Sequence, residues 1–266
     1  MTSKVAVVTG GSRGIGRATA VALAEAGWTV AIGYRSNEQD AKETLEALEA
    51  AGTPGLAVVL DVTDETSITE AFRRVTEEAG HVTGLVNNAG FSKDGLLLRY
   101  PMDVYARTMD TNLRGAFLCS SAALRGMLRQ KWGRIVNVSS AVALHGNAGQ
   151  TVYAATKAGL VGMTKSLARE VAMKGVTVNV ICPGLLDTDM TSHLDDAARA
   201  YYIDQTPLQR PAHLEEVSAV VRFLMSEEAS YVNGAVIPVD GGLTAEQAGK
   251  RPATLGGPHG TRRKQP

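Results

Sequence analysis

Residues 5–16 read Val5-Ala6-Val7-Val8-Thr9-Gly10-Gly11-Ser12-Arg13-Gly14-Ile15-Gly16, and an alanine-rich helical stretch runs on from Arg17 to Ala26. A run of β-formers, a glycine turn and a helix, in that order, is the context in which a glycine-rich motif signals dinucleotide binding. Gly10 can turn tightly, Gly14 lets backbone approach a pyrophosphate, and Gly16 lets the helix pack on the strand. The helix then offers free N–H groups and its positive dipole end to the phosphates. The spacing is GxxxGxG rather than the commoner GxGxxG, so the reading rests on context more than on the glycines themselves.

The same alternation continues outward. Residues 28–34 read as a second strand, 37–51 as a charged amphipathic helix, and Gly52-Thr53-Pro54-Gly55 as a turn. A third strand at 56–60 leads to Asp61-Val62, and Thr63-Asp64 caps a helix that runs to about Glu78. Leu85-Val86 opens a fourth strand into Asn87-Asn88-Ala89-Gly90. Further strands are expected at 134–139, 176–181 and 235–239. The expected fold is α/β, a Rossmann-type doubly wound parallel sheet of about seven strands with helices on both faces. Residues 101–131 read as one or two helices with a long apolar face, and 141–150 as a small-residue loop. Asn112 interrupts the apolar run. Asn is a poor mid-helix residue, so it marks either a kink with a polar role or a harmless exposed side chain.

The chain has 266 residues, 44% of them hydrophobic, which suits one domain over residues 1–243. Residues 244–266 are rich in Gly, Pro and basic residues and read as a disordered tail, whose basic end could instead touch a partner. Charges balance at 27 against 27, so no net field recruits nucleic acid or an acidic membrane. No run of 18 apolar residues is present, and Met1-Thr2-Ser3-Lys4 enters the first strand without a signal-like stretch. Cys119 and Cys182 form no CxxC pair, and the five histidines have no metal-binding spacing. The expectation is a cytoplasmic enzyme or binding domain without a metal.

Chemistry concentrates at Tyr153-Ala154-Ala155-Thr156-Lys157. Tyr153 and Lys157, four apart, share one helix face, and Val152, Thr156, Leu160, Val161 and Leu167 form an apolar stripe with Gly159 and Gly162 for close packing. Ser140 lies at the C-terminal end of the 134–139 strand. A hydroxyl there, beside a phenol and an ammonium, suits proton transfer to a carbonyl. The ammonium is expected to lower the tyrosine pKa, and Ser140 to hold the carbonyl oxygen. The second strand ends in Tyr34-Arg35, where NAD-selective domains carry Asp or Glu. With Arg13 in the glycine loop, Arg35 favours a 2′-phosphate and hence NADP(H), although two ordinary surface arginines would look alike. Residues 185–205, half apolar and including Tyr201 and Tyr202, sit where a substrate cover is expected.

Taken together, TGGSRGIG at 9–16, Asp61-Val62, NNAG at 87–90, Asn112, Ser140, YAATK at 153–157 and Pro183-Gly184 resemble the short-chain dehydrogenase/reductase family over residues 4–243. The resemblance implies an oxidoreductase with Tyr153 as general acid, Lys157 on the nicotinamide ribose, Ser140 on the substrate oxygen, and Asn112 holding a water that resupplies the proton. It implies cofactor contacts from Gly10, Ser12, Arg13, Gly14, Ile15, Gly16 and Arg35. Asp61 and Val62 would lie at the adenine, Asn88, Ala89 and Gly90 at the adenosine side, and Pro183, Gly184, Leu186 and Thr188 at the nicotinamide. Substrate contacts would come from Gln150, Met190, Ser192, His193 and Tyr202. It also implies a homotetramer, paired through the helices near 101–131 and 151–173 and through the last helix and strand.

Within the family the strongest likeness is to 3-oxoacyl-carrier-protein reductases and their polyketide relatives. There, basic residues beside the pocket dock an acyl carrier protein, and Lys131 and Lys174 occupy matching positions, as ordinary solvated lysines also would. Gln209-Arg210-Pro211-Ala212-His213 and the extension past Gly242 depart from the reductase pattern. They favour a polyketide ketone, one already cyclised, over the housekeeping fatty-acid substrate. Tyr201-Tyr202 would suit a flat aromatic substrate, or simple packing.

Overall fold

A computed structural model describes residues 4–188 and 195–245 of the chain. Seven parallel strands, β1 (Val5–Thr9), β2 (Thr29–Tyr34), β3 (Leu56–Val59), β4 (Gly84–Asn87), β5 (Gly133–Val138), β6 (Val176–Pro183) and β7 (Val236–Val239), form one sheet in the order 3-2-1-4-5-6-7. Helices α1 (Gly14–Glu25), α2 (Glu38–Ala50) and α9 (Leu214–Leu224) cover one face. Helices α3 (Glu65–Glu78), α5 (Gly115–Gln130) and α7 (Thr151–Val171) cover the other. Successive residues of β1 feed opposite layers, Val5 and Val7 to one core and Ala6 and Val8 to the other. Both faces of the strand are therefore buried, which is why it reads as an unbroken apolar run. The doubly wound Rossmann architecture expected from the sequence is the one observed.

The chain winds outward from β1 to β3, then returns to lay β4 beside β1. The crevice at that reversal is where ligands bind in open α/β sheets, and the loops after β1 and β4 flank it. Thr9 sews the two loops together. Its hydroxyl accepts the N–H groups of Asn88 and Ala89, each at 3.0 Å, while Asn88 Nδ2 donates to the carbonyls of Thr9 and Gly10.

Two local features differ from a plain helix–loop reading. Between α4 (Met102–Met109) and α5, residues Asp110–Arg114 form one π-helical turn, and buried Asn112 sits inside it. Such single-turn bulges insert a residue into the helix and accompany functional sites. The asparagine is thus at a distortion with a polar role, not exposed. The 141–150 stretch, expected to be all loop, contains a short helix α6 (Val142–His145), started by Val142 N–H donating to Ser140 Oγ at 3.2 Å and ended at Gly146, φ 72°. Helix α8 (Asp196–Gln205) follows β6 and buries none of its residues. Among the described residues no helix is long and apolar enough to cross a membrane.

Candidate active site

The glycine loop after β1 bends as its glycines require. Gly10 and Gly14 lie at φ +62° and +52°. A Cβ at Gly16 would stand 2.1 Å from the Gly10 carbonyl, so α1 can approach β1 only without a side chain there. Arg13 precedes α1 without a side-chain cap bond, and the first turn of α1 holds no acidic residue. Its leading N–H groups therefore meet no carboxylate from the helix's own first turn. Ser12 is buried, and its carbonyl accepts from Arg17 Nε at 3.0 Å and from Thr44 Oγ1 at 2.9 Å. Ile15 lies half-buried against the core layer beneath α1.

Across the crevice, Asp61 accepts from the N–H and the hydroxyl of Thr63 at 2.9 and 2.7 Å. Burial works against its charge, but the Thr63 bonds and the nearby guanidiniums of Arg35 and Arg107 hold its carboxyl below the usual range. Arg35 is thus near enough for its charge to act on Asp61. Val62 turns its side chain into the core. Gly90 borders the catalytic side: a Cβ there would lie 3.6 Å from Lys157 Nζ and 3.7 Å from Asn112 Oδ1, so a longer side chain would intrude beside both. Gly184 packs so tightly on Asp240 that a Cβ would come within 2.9 Å of its Cα. Pro183 O accepts from Ala141 N–H, and Leu186 bridges to Ala212, tying this wall to β5 and to the segment before α9. The Thr188 methyl is 3.7 Å from where a Gly14 Cβ would be, so the 183–188 segment closes over the glycine loop.

At the centre, Lys157 is only 4% exposed and its Nζ donates to Val138 O at 2.8 Å. Nζ lies 5.6 Å from the centre of the Tyr153 ring. The Ser139 hydroxyl donates to the Lys157 carbonyl at 2.8 Å, locking α7 to the end of β5. The Ser140 hydroxyl stands near enough to the Tyr153 hydroxyl to favour its ionised form. Asn112 Oδ1 accepts Phe91 N–H at 2.7 Å, and its Nδ2 donates to Phe91 O at 2.9 Å and to Thr156 Oγ1 at 3.1 Å. Thr156 in turn donates to Tyr153 O at 2.8 Å. The four expected catalytic residues therefore meet in one place.

The expected lowering of the tyrosine pKa is not what the protein alone produces. Burial pushes the Tyr153 phenol up to about 12; the neighbouring Ser140 hydroxyl opposes this and the charge of Asp94 adds to it. Burial also pushes Lys157 down to about 8. Desolvation dominates both shifts because each charged form loses water in the same pocket. At neutral pH the phenol is protonated, the form that can give a proton to a carbonyl oxygen.

The expected substrate residues fare differently. Gln150 is committed to Asp94 and Asn147, and the Tyr202 hydroxyl accepts from Asn147 Nδ2. Tyr201 is 61% exposed and meets Tyr202 edge-on at 5.9 Å. Met190, Ser192 and His193 lie outside the described residues, as does the tail beyond residue 245. Lys131 ends α5 just before β5 and Lys174 precedes β6, whereas Ser140 follows the other end of β5. Six strand residues at about 3.3 Å each put both lysines some 20 Å from this chain's own site, so they do not stand beside its pocket. Of the α7 stripe, Val152, Thr156 and Leu160 are buried together with Lys157 and Thr164, while Val161 and Leu167 are only partly covered. Cys119 and Cys182 are buried free thiols, and burial pushes Cys119 up to about 12.

Thr9, Arg17, Thr44, Ser139, Thr156 and Asn147 position the site without having been expected. Thr9 opens the glycine motif and Ser139 precedes Ser140, so those two carried a signal by adjacency. Thr44, which reaches the loop from α2, did not.

A family model described as enoyl-(acyl carrier protein) reductase matches residues 10–244. The 3-oxoacyl-(acyl-carrier-protein) reductase FabG of Pseudomonas aeruginosa is 45% identical over 240 residues, covering 90% of this chain and 97% of that protein. FabG of Staphylococcus aureus is 42% identical over 241 residues, covering 91% of this chain and 98% of the relative. A crystal structure from Agrobacterium tumefaciens, assigned provisionally as a gluconate dehydrogenase, superposes with a TM-score of 0.88 at 34% identity, covering 91% of this chain and 96% of its own.

Proposed function

Because the chain belongs to the short-chain dehydrogenase/reductase family of oxidoreductases, we propose that it is an NADPH-dependent reductase of 3-oxoacyl thioesters, turning the keto group into a secondary alcohol. The observation that carries this reading is the Ser140–Tyr153–Lys157–Asn112 cluster, opening beside a glycine loop whose clearances fit a dinucleotide. The 42–46% identity to named 3-oxoacyl reductases favours a 3-oxoacyl chain.

The glycine loop with the first turn of α1 would take the pyrophosphate, and Arg13 and Arg35 a 2′-phosphate. Lys157 and the 183–188 segment would take the nicotinamide half. When bound, the reduced nicotinamide supplies hydride to the carbonyl carbon. Tyr153 gives its phenolic proton to the carbonyl oxygen, and the Ser140 hydroxyl stabilises that oxygen as charge develops. Lys157, held in place by Val138 O, puts its positive charge next to the phenolate that the donation leaves. Its depressed pKa also lets it pass a proton on near neutrality. The Asn112 amide is committed to Phe91 and Thr156, so a water in the proton path would rest on its second Oδ1 lone pair or its backbone carbonyl.

A carrier protein would deliver the thioester, and a second copy of the chain would complete the docking surface. An apolar groove formed by Met109, Leu113, Phe117, Gly159 and Met163 supports pairing, with Phe117 61% exposed. Pairing across this face would let Lys131 and Lys174 serve a neighbouring subunit's site. A cyclised polyketide ketone is the second reading; the exposed Tyr201 ring favours it.

The test is cofactor oxidation by the purified protein with a 3-oxoacyl thioester, an enoyl thioester and a cyclic polyketide-type ketone, each with NADPH and NADH. Turnover of the 3-oxoacyl thioester with NADPH supports the reading. Turnover of only the enoyl thioester, or of none, contradicts it.

A further inference from the structure

Helix α8 buries no side chain against the core. A helix without a buried apolar face takes its position from directed bonds and is among the first elements to open. Among the described residues, two side-chain ties reach from it to other segments. Arg199 donates to Asp187 at 2.6 Å, anchoring α8 to the segment after β6. Tyr202 points the other way, its hydroxyl accepting from Asn147 Nδ2 at 2.7 Å.

The second tie continues beyond Asn147. The same Nδ2 donates to Gln150 Oε1 at 3.0 Å, and Gln150 Nε2 donates to Asp94 Oδ1 at 2.9 Å. Beside it, Gly95 N–H donates to Gly149 O at 2.8 Å. A chain of side chains thus runs from α8, over the loop between α6 and α7, to the loop after β4. Gln150 immediately precedes α7, three residues before Tyr153. An asparagine suits the middle of the chain because one amide nitrogen carries two hydrogens, enough for the Tyr202 and Gln150 oxygens together.

We propose that Asn147 is a positioning residue that ties α8, through Tyr202, to the loop leading into α7, through Gln150, and so fixes where α8 stands relative to the Tyr153 end of α7, where the ketone would bind. Its effect on substrate rests on the ketoreductase reading; the tie itself does not. Asn147 enters no proton transfer. It sets where α8 stands, so its loss weakens ketone binding more than turnover.

The experiment compares wild type with Asn147→Ala, Tyr202→Phe, the double variant and Arg199→Ala. Amide hydrogen exchange in α8 and in α9 is read for each, and KM and kcat for a 3-oxoacyl thioester. Asn147→Ala and Tyr202→Phe should each speed α8 exchange by about 10-fold, the worth of one part-buried hydrogen bond, without change in α9. The double variant should go no further than a single one, because both remove the same bond, whereas Arg199→Ala should add to Tyr202→Phe. KM for the thioester should rise by roughly 5- to 10-fold in the first two variants while kcat and the NADPH KM move less than about 2-fold. Unchanged α8 exchange, additive effects of Asn147→Ala and Tyr202→Phe, or faster exchange with an unmoved KM each overturn the proposal. A wild type that turns over no ketone overturns the ketoreductase reading instead, and the exchange measurements then decide the tie by themselves.

Discussion

Asn112 and Phe91 exchange a pair of hydrogen bonds, Phe91 N–H to Oδ1 at 2.7 Å and Nδ2 to Phe91 O at 2.9 Å. The pair is made where the helix widens into its π turn, so one side chain holds both the loop after β4 and the register between α4 and α5. The same amide reaches Thr156 on α7. Asn112 is therefore the point where three segments of the site are joined.

Asn112→Ala strips partners from the Phe91 N–H, the Phe91 carbonyl and the Thr156 hydroxyl at once. Each orphaned buried group costs on the order of 1–3 kcal/mol, less where water enters. The variant should lose about 2–4 kcal/mol in urea unfolding, read as a lower midpoint at unchanged slope. Asn112→Asp keeps the acceptor and loses the donors, so it should fall between the two. An alanine variant as stable as wild type would mean the π turn is held by something else.

Stability should depend on alkaline pH in a way that identifies Lys157. Its folded pKa is about 8 against its ordinary 10.5, so between those values the unfolded chain binds more protons and stability rises with pH. Tyr153 acts later and oppositely: folded, it keeps its proton to about 12 against an ordinary 10.0, so its contribution is full below 10 and is lost as pH climbs toward 12. Relative to Lys157→Met, wild type should therefore gain on the order of 2–3 kcal/mol between pH 7 and 10. Parallel stability curves for the two proteins would contradict this.

The charge of Arg35 acts on Asp61, and the proposed function gives Arg35 the 2′-phosphate of NADPH. Arg35→Asp should reduce the preference for NADPH over NADH by about 10- to 100-fold, the worth of a charge-assisted bond to phosphate. The measurement is the ratio of kcat/KM values for the two cofactors. An unchanged ratio would make Arg35 an ordinary surface arginine.

Phe117 is 61% exposed on the groove between α5 and α7. Phe117→Asp should shift the protein to a smaller species in sedimentation velocity, because a charge would be buried in the pairing face. Wild type that sediments as a monomer would remove the basis for that face.

What the sequence made legible was local. Gly10, Gly14 and Gly16 lie within seven residues, so turn, clearance and packing could each be assigned to a position, and the observed φ values and close approaches agree. Tyr153 and Lys157 share a helix face by spacing alone, and Asn112 stood out because its residue type disagreed with its surroundings. What was illegible depended on contacts far apart in the chain. Asn147 meets Tyr202 across 55 residues, and Thr44 reaches Ser12 across 32. The direction of the tyrosine shift was misread because spacing reveals a neighbouring charge but not the burial that dominates the shift. Lys131 was placed beside the pocket by the family resemblance, although it precedes β5 and Ser140 follows the other end of that strand.

The most direct test is a single-turnover comparison of wild type and Tyr153→Phe, with NADPH and a 3-oxoacyl thioester, alongside NADPH binding to both. Wild type should oxidise NADPH to the 3-hydroxy product. The variant should bind NADPH within about 3-fold of wild type yet reduce the ketone roughly 10²- to 10⁴-fold more slowly, the usual worth of a positioned general acid. Equal reduction rates in the two proteins would mean that the phenol beside Ser140 is not the proton donor.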